Sequence, residues 1–310
     1  MPDTMRAMVA TGRGGPDVLE LRNVPRPGPA GRNDVLVRLK AASLNPADTF
    51  FRALGPYIES DGPLVLGHDG AGIVEAVGDA VTGIAVGDRV CFCHGGIGAA
   101  PGTYAEFAVV PDTVLAKLPA GIDFETAAAL PLVAITLTES LYERADLRKD
   151  EFVLVHAGAG GTGHVGIQLA RLRRVRGARV ATTVSGGRKA ALAEELGAEL
   201  VVPYRDRDFV SAVREWQPAG LDVALDNVGP EIMQRTYRAM APYGRIVTLM
   251  GTPADTDDTL AYNLNLTIHN VMMLTPMWLG IARRLPVASD APSEAAASSP
   301  SRSRSRSRPA

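Results

Sequence analysis

Residues 152–170 have the sequence Phe152-Val-Leu-Val-His-Ala-Gly-Ala-Gly-Gly-Thr-Gly-His-Val-Gly-Ile-Gln-Leu-Ala170. The first six form a mostly apolar run, which predicts a short buried strand. Gly158, Gly160 and Gly163 follow in the pattern Gly-x-Gly-x-x-Gly, and the apolar residues after them recur at helical spacing. This order of elements suits a diphosphate, because the glycines allow a tight turn and the new helix presents free N–H groups at its positive end. The stretch predicts a dinucleotide-binding site.

Composition narrows the class of protein. The 310-residue chain is 46% hydrophobic and 21% charged, as in a soluble globular protein long enough for two domains. Its net charge of −2 argues against nucleic acid or a membrane surface as the main partner. No apolar stretch approaches the roughly 20 residues of a spanning helix, and the start lacks signal-peptide features. Cys91 and Cys93 lie too close together to suggest a disulfide framework. We expect a cytoplasmic protein.

The pattern of apolar residues along the chain changes near residue 123. Before it, apolar or alternating runs are separated by Gly and Pro, which predicts a partly closed, all-β barrel domain over residues 1–123. After it, strand and helix patterns alternate, which predicts a doubly wound parallel sheet over residues 124–283. The predicted strands are 7–10, 35–42, 72–77, 89–93, 104–110, 152–157, 178–184, 200–202, 221–225, 245–250 and 266–274. The predicted helices are 127–130, 132–142, one from about residue 163 on, 188–196, 208–216 and 231–240.

Residues 284–310 have a different composition. They are rich in Ser, Ala and Arg, contain few large apolar residues, and end in the repeat Ser301-Arg-Ser-Arg-Ser-Arg-Ser-Arg308. Such a segment cannot bury enough apolar surface to order its backbone, so we expect a disordered tail. An RNA-associated role is the alternative that the Ser-Arg repeat leaves open. The acidic charge of the remaining chain weighs against it.

Several local motifs occur together in this sequence, and in combination they are specific. The sequence resembles the medium-chain dehydrogenase/reductase superfamily, and most closely its zinc-independent, zeta-crystallin-like quinone oxidoreductase branch. The resemblance implies a GroES-like β domain and a Rossmann domain with the nicotinamide in the cleft between them. The motifs are Leu44-Asn45-Pro46-Ala47-Asp48-Thr49, Leu66-Gly67-His68-Asp69-Gly70-Ala71-Gly72, Val86-Gly87-Asp88-Arg89-Val90, Gly102-Thr103-Tyr104-Ala105-Glu106 and Asp226-Asn227-Val228-Gly229.

The resemblance also implies residues around the nicotinamide and the hydride acceptor: Asn45, Asp48, Arg52, Tyr57 and Thr136. Asn45 could donate a hydrogen bond to the acceptor, and Tyr57 could do so or supply a proton. Structural roles remain open for each of them. Asn45 could form a turn with Pro46, Asp48 could cap it, and Tyr57 could pack beneath the cleft.

The end of the second Rossmann strand bears on the choice of cofactor. NAD-specific sites usually place a carboxylate there, whereas this chain has Ser185-Gly-Gly-Arg-Lys189. Ser and Lys donors suit a 2′-phosphate, so we expect NADPH, unless Arg188 and Lys189 only begin a solvated helix. The resemblance implies a 2′-phosphate site of Ser185, Lys189 and Tyr204, which an apparent lengthening of the preceding helix over residues 171–176 could displace. The remaining expected cofactor-binding residues are Gly158, Gly160, Gly161, Thr162, Gly163, Asn227, Val228, Met250 and Gly251.

No metal is expected. Catalytic zinc in the alcohol dehydrogenase relatives needs a Cys, a His and a further thiolate or carboxylate. Asn45 stands where the resemblance places the first Cys, and His68 alone cannot hold the ion. The cysteine-rich loop for structural zinc is also absent from this sequence.

The leading hypothesis is a zinc-independent NADPH-dependent reductase of a quinone or an α,β-unsaturated carbonyl. The resemblance implies a return segment to the β domain after residues 266–274, and the tail stands in its place, as a shifted reading frame would produce. A nucleotide-binding protein with little or no turnover is therefore one alternative. An enoyl-thioester reductase is another. The resemblance also implies a homodimer that pairs through the edge strand Leu266-Thr-Ile-His-Asn-Val-Met-Met-Leu274.

Overall fold

A computed structural model describes residues 3–28, 31–59, 62–98, 100–172, 178–252 and 256–281. The predicted tail at 284–310 lies outside these ranges, as does most of the helix extension predicted up to residue 176. Among the described residues, no helix is both long and apolar enough to cross a membrane.

The first half of the chain forms two antiparallel sheets. One has the strand order β2-β1-β4, and the other has the order β7-β3-β5-β6-β8. The structure confirms the expected β domain, while the order of its strands could not be derived from local patterns. The elements are β1 (Thr4–Ala10), β2 (Leu19–Pro25), β3 (Asp34–Ala42), α1 (Pro46–Leu54), β4 (Leu64–Val65), β5 (Asp69–Val77), β6 (Arg89–Cys93), β7 (Phe107–Pro111) and β8 (Leu115–Lys117).

Within the described part of this half, three strands and one α-helix were not predicted, namely β2, β4, β8 and α1. β2 is mostly exposed and carries charged residues, and β4 and β8 have only two and three residues, so none of them shows a strong period. In α1, Pro46 occupies the first turn, where its missing N–H costs no hydrogen bond. The Asn45-Pro46 pair therefore begins a helix, and not only the turn that its sequence allowed.

The second half forms a six-stranded parallel sheet with the order β11-β10-β9-β12-β13-β14. Its order reverses between β9 and β12, which makes a crevice at the carboxyl ends of these two strands. The elements are α2 (Phe124–Ala128), α3 (Pro131–Thr138), β9 (Phe152–Val155), α4 (Gly161–Arg171), β10 (Arg179–Val184), α5 (Arg188–Glu195), β11 (Leu200–Pro203), α6 (Phe209–Trp216), β12 (Leu221–Asp226), α7 (Pro230–Tyr237), β13 (Met240–Thr248), α8 (Thr259–Asn263), β14 (Thr267–Asn270) and α9 (Thr275–Trp278). The expected doubly wound sheet is confirmed.

Burial on both faces explains why the strands of this sheet are apolar throughout. In β9, Val153 and Val155 pack with α4 on one face, and Leu154 packs with α6 and α7 on the other. A separate apolar cluster contains Phe51, Leu66, Met273 and Leu274. It joins α1 and the loop after β4 to the segment that follows β14. The two halves of the chain therefore share a buried contact.

Two boundaries of the parallel sheet differ from prediction. β14 ends at Asn270, because Met273 and Leu274 leave the sheet and enter the apolar cluster with Phe51. β13 begins at Met240 rather than at residue 245, and its pairing with β12 shifts register between Leu221 and Val223. An irregular strand start of this kind has no simple signal in the sequence.

Among the described strands, β14 lies at the edge of its sheet, so we predict that two copies of the chain pair there, over fewer residues than the sequence suggested. Asn270→Lys should weaken the dimer, because lysines on an edge strand oppose strand-to-strand pairing. Sedimentation should then show a shift toward monomer at micromolar concentration. Tyr262→Lys, at a residue that is 83% exposed on α8, is the matched control. A monomeric parent protein would contradict the prediction.

Candidate functional site

The glycine turn lies at the crevice between β9 and β12. The Gly158 N–H donates to the Thr183 carbonyl oxygen (2.9 Å), and a Cβ on Gly158 would overlap the Thr182 hydroxyl. A Cβ on Gly163 would overlap the carbonyl oxygen of Ala157, which itself adopts a left-handed φ of 54°. The turn is therefore as compact as the Gly-x-Gly-x-x-Gly pattern predicts.

Beyond these contacts the turn is open on its outer side. A Cβ on Gly161 would meet nothing within 4 Å, and no side chain within the described ranges caps the start of α4. The first N–H groups of α4, including that of Thr162, are thus presented to a ligand at the positive end of the helix. The five predicted residues, Gly158, Gly160, Gly161, Thr162 and Gly163, lie together in this turn.

A buried histidine that no sequence motif indicated supports the turn. His156 Nε2 lies 2.9 Å from Thr236 Oγ1, whose own proton is donated to the Ile232 carbonyl. Nε2 must therefore carry the proton, and Nδ1 accepts from the Thr183 hydroxyl at 3.2 Å. Burial, with Arg235 nearby, lowers the pKa of His156 to about 3. A neutral His156 thus connects β9, β10 and α7.

The carboxyl end of β12 forms the other side of the crevice. Asp226 is buried and accepts the N–H groups of Val228 and Gly229, each at 3.0 Å, and the Thr248 hydroxyl at 2.9 Å. Asn227 Nδ2 donates to the His156 carbonyl (2.9 Å), while Asn227 Oδ1 is buried and has no hydrogen-bond partner among the described residues. Such an acceptor is suited to an N–H or O–H group of a ligand.

The two apolar residues expected near the cofactor are half-exposed at the same edge. Val228 is 47% exposed and Met250 is 49% exposed, although both are apolar. The Met250 N–H donates to Thr248 Oγ1 (3.1 Å), and Gly251 follows with a φ of 76°. The predicted residues Asn227, Val228, Met250 and Gly251 therefore lie together at the adjacent carboxyl ends of β12 and β13.

The residues expected at a 2′-phosphate meet at the ends of two paired strands. Ser185 directly follows β10 and Tyr204 directly follows β11, and the last paired residues of these strands are Val184 and Pro203. Lys189 lies in the first turn of α5, exposed to solvent. Ser185, Lys189 and Tyr204 therefore all lie on the side of the sheet where the strands have their carboxyl ends.

Near the predicted acceptor pocket, Asn45 and Asp48 take part in a buried network. Asp48 Oδ2 accepts the Asn45 N–H (2.7 Å), and its Oδ1 accepts the Gly67 N–H (3.1 Å). Asn45 Nδ2 donates to Asp69 Oδ2 (2.9 Å) and to Ser43 Oγ (3.2 Å). Asp69 belongs to a sequence motif but was not among the predicted site residues. Burial raises the pKa of Asp69 to about 6, despite hydrogen bonds from Asn45, Leu132 and Ser43.

The other three predicted pocket residues differ in accessibility. Arg52 Nε donates to the Gly14 carbonyl (3.1 Å), which ties this side chain to a loop. Thr136 is buried, and its hydroxyl donates to the Leu132 carbonyl (2.7 Å). Tyr57 is 45% exposed and contacts the rings of Phe51 and Trp278, with centroids 4.9 Å away in each case. Of the three, Tyr57 is the most exposed to a bound molecule.

The residues do not fit a catalytic zinc ion. His68 is fully buried, and its Nδ1 lies 2.8 Å from the Gly95 carbonyl oxygen, so Nδ1 carries a proton. Its Nε2 faces Asp48 Oδ1 at 3.5 Å. Asn45 turns its amide nitrogen, which is no metal ligand, toward Asp69. No group of three or more His, Cys, Asp or Glu residues within the described ranges is arranged to hold a metal.

Comparison with known proteins gives the family. Residues 31–120 match the alcohol dehydrogenase GroES-like domain, and residues 161–289 match the zinc-binding dehydrogenase domain. The chain is 39% identical over 236 residues to a quinone oxidoreductase of Pseudomonas aeruginosa, covering 76% of this chain and 70% of the relative. The chain belongs to the medium-chain dehydrogenase/reductase superfamily. The expected resemblance is confirmed, and as a superfamily member the chain is an oxidoreductase.

Two further members give a chemical and a structural comparison. A 2-haloacrylate reductase of a Burkholderia species is 35% identical over 245 residues, covering 77% of this chain and 71% of the relative. The crystal structure of Escherichia coli quinone oxidoreductase complexed with NADPH is 29% identical. It superimposes with a TM-score of 0.75, covering 91% of this chain and 85% of that one.

Two glycine substitutions separate the fold of the turn from its binding surface. Gly163→Ala should destabilise the protein by about 1–3 kcal/mol or more, because its Cβ would overlap the Ala157 carbonyl. Gly161→Ala should keep the parental melting temperature, since its Cβ meets nothing, yet weaken NADPH binding by about tenfold if phosphate occupies the open side. Thermal unfolding and fluorescence titration measure the two effects. Parental NADPH affinity in Gly161→Ala would exclude the phosphate from this side.

Two buried groups should make stability depend on pH with opposite signs. Folded His156 stays neutral down to about pH 3, whereas an unfolded His takes up its proton near 6.5, so its contribution is lost as the pH falls from 6.5 toward 3. Folded Asp69 has a pKa of about 6 against 3.8 when unfolded, so its contribution is lost as the pH rises through this window. The two slopes oppose each other between about pH 4 and pH 6.

His156→Gln should therefore remove the contribution of His156 to the pH dependence of stability and leave that of Asp69. The stability difference between parent and variant should shrink by up to about 1.4 kcal/mol per pH unit as the pH falls below 6.5. Urea unfolding at pH 7, 6 and 5 measures this difference. A difference that stays constant with pH would mean that His156 does not remain neutral in the folded protein.

Proposed function

We propose that the protein is an NADPH-dependent reductase of quinones or α,β-unsaturated carbonyl compounds. The observation that carries the proposal is the uncapped glycine turn at the crevice between β9 and β12, beside the buried acceptor atom Asn227 Oδ1. The turn would hold the diphosphate, and Asn227 would accept a hydrogen bond from a donor on the nucleotide. The quinone oxidoreductase and the haloacrylate reductase are relatives whose named substrates fit this chemistry.

We propose NADPH rather than NADH because of the residues at the carboxyl ends of β10 and β11. Ser185, Lys189 and Tyr204 follow neighbouring strands, and residues 185–189 include no carboxylate to repel a 2′-phosphate. A cationic and two hydroxyl donors there suit a dianionic phosphate better than a ribose hydroxyl. The NADPH complex of the E. coli relative supports this choice.

The reaction needs few groups from the protein. NADPH held at the glycine turn would supply the hydride, and one proton would come to the product from water or a nearby hydroxyl. We assign Tyr57 as the hydrogen-bond donor to the acceptor oxygen, because its ring is half-exposed beside α1. Zinc takes no part in this proposal, since the donor set around His68 does not fit it. A cytoplasmic location and domains at 1–123 and 124–283 remain predictions.

Turnover is the direct test. NADPH oxidation should occur with a small naphthoquinone and with an activated alkene, and it should survive treatment with a zinc chelator. The two substrate classes are assayed separately, since either alone would support hydride transfer. NADPH binding without oxidation of any acceptor would instead favour a nucleotide-binding protein without turnover. Activity restricted to enoyl thioesters would favour the enoyl-thioester reductase.

Lys189 provides the test of cofactor choice. Lys189→Ala should narrow the affinity gap between NADPH and NADH by roughly 1.5–3 kcal/mol, which is the scale of a charge-assisted hydrogen bond. Lys149→Ala is the matched control. Lys149 is exposed and precedes β9, so it lies at the amino ends of the strands, away from the predicted phosphate site. Titration with both cofactors measures the gap. Equal affinities of the parent for NADPH and NADH would refute the assignment.

A further inference from the structure

Asp69, the first residue of β5, is a buried carboxylate shared by three parts of the chain. It accepts hydrogen bonds from Ser43 Oγ (2.9 Å), Asn45 Nδ2 (2.9 Å) and the Leu132 N–H (2.8 Å). Ser43 and Asn45 precede α1, and Leu132 lies in the first turn of α3. The carboxylate therefore joins the amino ends of two helices that belong to the two halves of the protein.

The hydrogen-bond directions in this network are determined by the charge. An ionised carboxylate only accepts, so Ser43 must donate its hydroxyl hydrogen to Asp69, and Asn45 must turn its Nδ2 toward the same oxygen. Having used its hydrogen, the Ser43 hydroxyl accepts the other amide hydrogen of Asn45, at 3.2 Å. Both amide hydrogens of Asn45 therefore point into the protein.

We propose that Asp69 is a positioning residue, which orients the Asn45 carboxamide and registers α1 against α3. Resting on the proposed function, the inference deepens it: Asn45 keeps no amide hydrogen to donate to the acceptor, which leaves that task to Tyr57. Protonation of Asp69 would let its carboxyl group donate, so that the Asn45 amide could turn over. The orientation at the site thereby depends on the charge of one buried group.

Other titratable groups surround Asp69. Asp48 lies on α1. His68 lies next to Asp48, with its Nε2 3.5 Å from Asp48 Oδ1. On β6, burial raises the pKa of Cys91 to about 12 and the pKa of Cys93 well above its usual value. Burial also raises the pKa of Tyr104, and it lowers the pKa of His94 to about 4. The His68→Gln variant tests whether His68 contributes to a step near pH 6.

The main experiment compares Asp69→Asn with the parent. An Asn at this position has to donate toward Ser43 and Asn45 while it accepts from Leu132, so the Asn45 amide should turn over. We expect kcat to fall by roughly tenfold to a hundredfold, because a turned amide at the start of α1 would disturb the pocket wall and with it the placement of the bound reactants. The Kd for NADPH should stay within about twofold, since the phosphate-binding residues are elsewhere. Ser43→Ala removes one hydrogen bond to Asp69, so its kcat should lie between those of the parent and Asp69→Asn.

Asp222→Asn is the matched control. Asp222 accepts the Phe152 N–H (2.8 Å) at the amino end of β12, the opposite edge from the crevice. It should lose stability and keep the parental kcat. If Asp69→Asn behaves like this control, with parental kcat and only a lower melting temperature, Asp69 is merely structural and the inference is wrong.

A second readout does not need turnover. The fluorescence of bound NADPH should change reversibly around pH 6 in the parent, where Asp69 changes its charge, because under the proposed function the nicotinamide would bind beside the Asn45 amide. The step should persist in His68→Gln and be absent from Asp69→Asn. A parent that binds NADPH without oxidising any acceptor refutes the proposed function, while this step still tests the inference. A flat fluorescence profile from pH 5 to pH 7.5 refutes the inference.

Discussion

The start of α4 depends on the absence of one side chain. Gly163 packs so closely on the Ala157 carbonyl that any Cβ would overlap it. This approach brings the helix directly over the end of β9, so the free N–H groups of its first turn project into the crevice. The supporting contacts serve the same geometry. His156 and Thr183 hold the chain before and beside the turn, and Asp226 holds the loop that faces it.

The sequence predicts those parts of the fold that rest on strong local patterns. The parallel sheet follows from alternating apolar strands and helices, and the glycine turn follows from its spacing. Prediction fails where a few residues are held by distant contacts. β4 has two residues and pairs with β1, more than fifty positions away. α1 begins at Pro46, and β14 ends early because Met273 and Leu274 pack against Phe51. Such contacts have no local signature.

The candidate site shows the same division. Ser185, Lys189, Tyr204 and the glycines could be located from strand ends and spacing, because the carboxyl ends of parallel strands meet at one edge. Asp69 and His156 could not, since an acid or a histidine in an apolar run gives no indication of its partners. Their roles depend on hydrogen-bond directions, which appear only when Ser43, Leu132, Thr183 and Thr236 are in place.

The buried contact around Phe51 has a consequence for motion. Met273 and Leu274 come from the segment after β14, yet they are almost fully enclosed by residues of α1 and the loops of the first half. Close packing of this kind holds its contacts while the parts on either side of it make small movements. We therefore expect the two halves of the protein to rotate slightly about this cluster, so that the crevice opens and closes. The widest travel would then be at the far end of the sheet, beside β10 and β11, where the adenosine end of a dinucleotide would enter and leave.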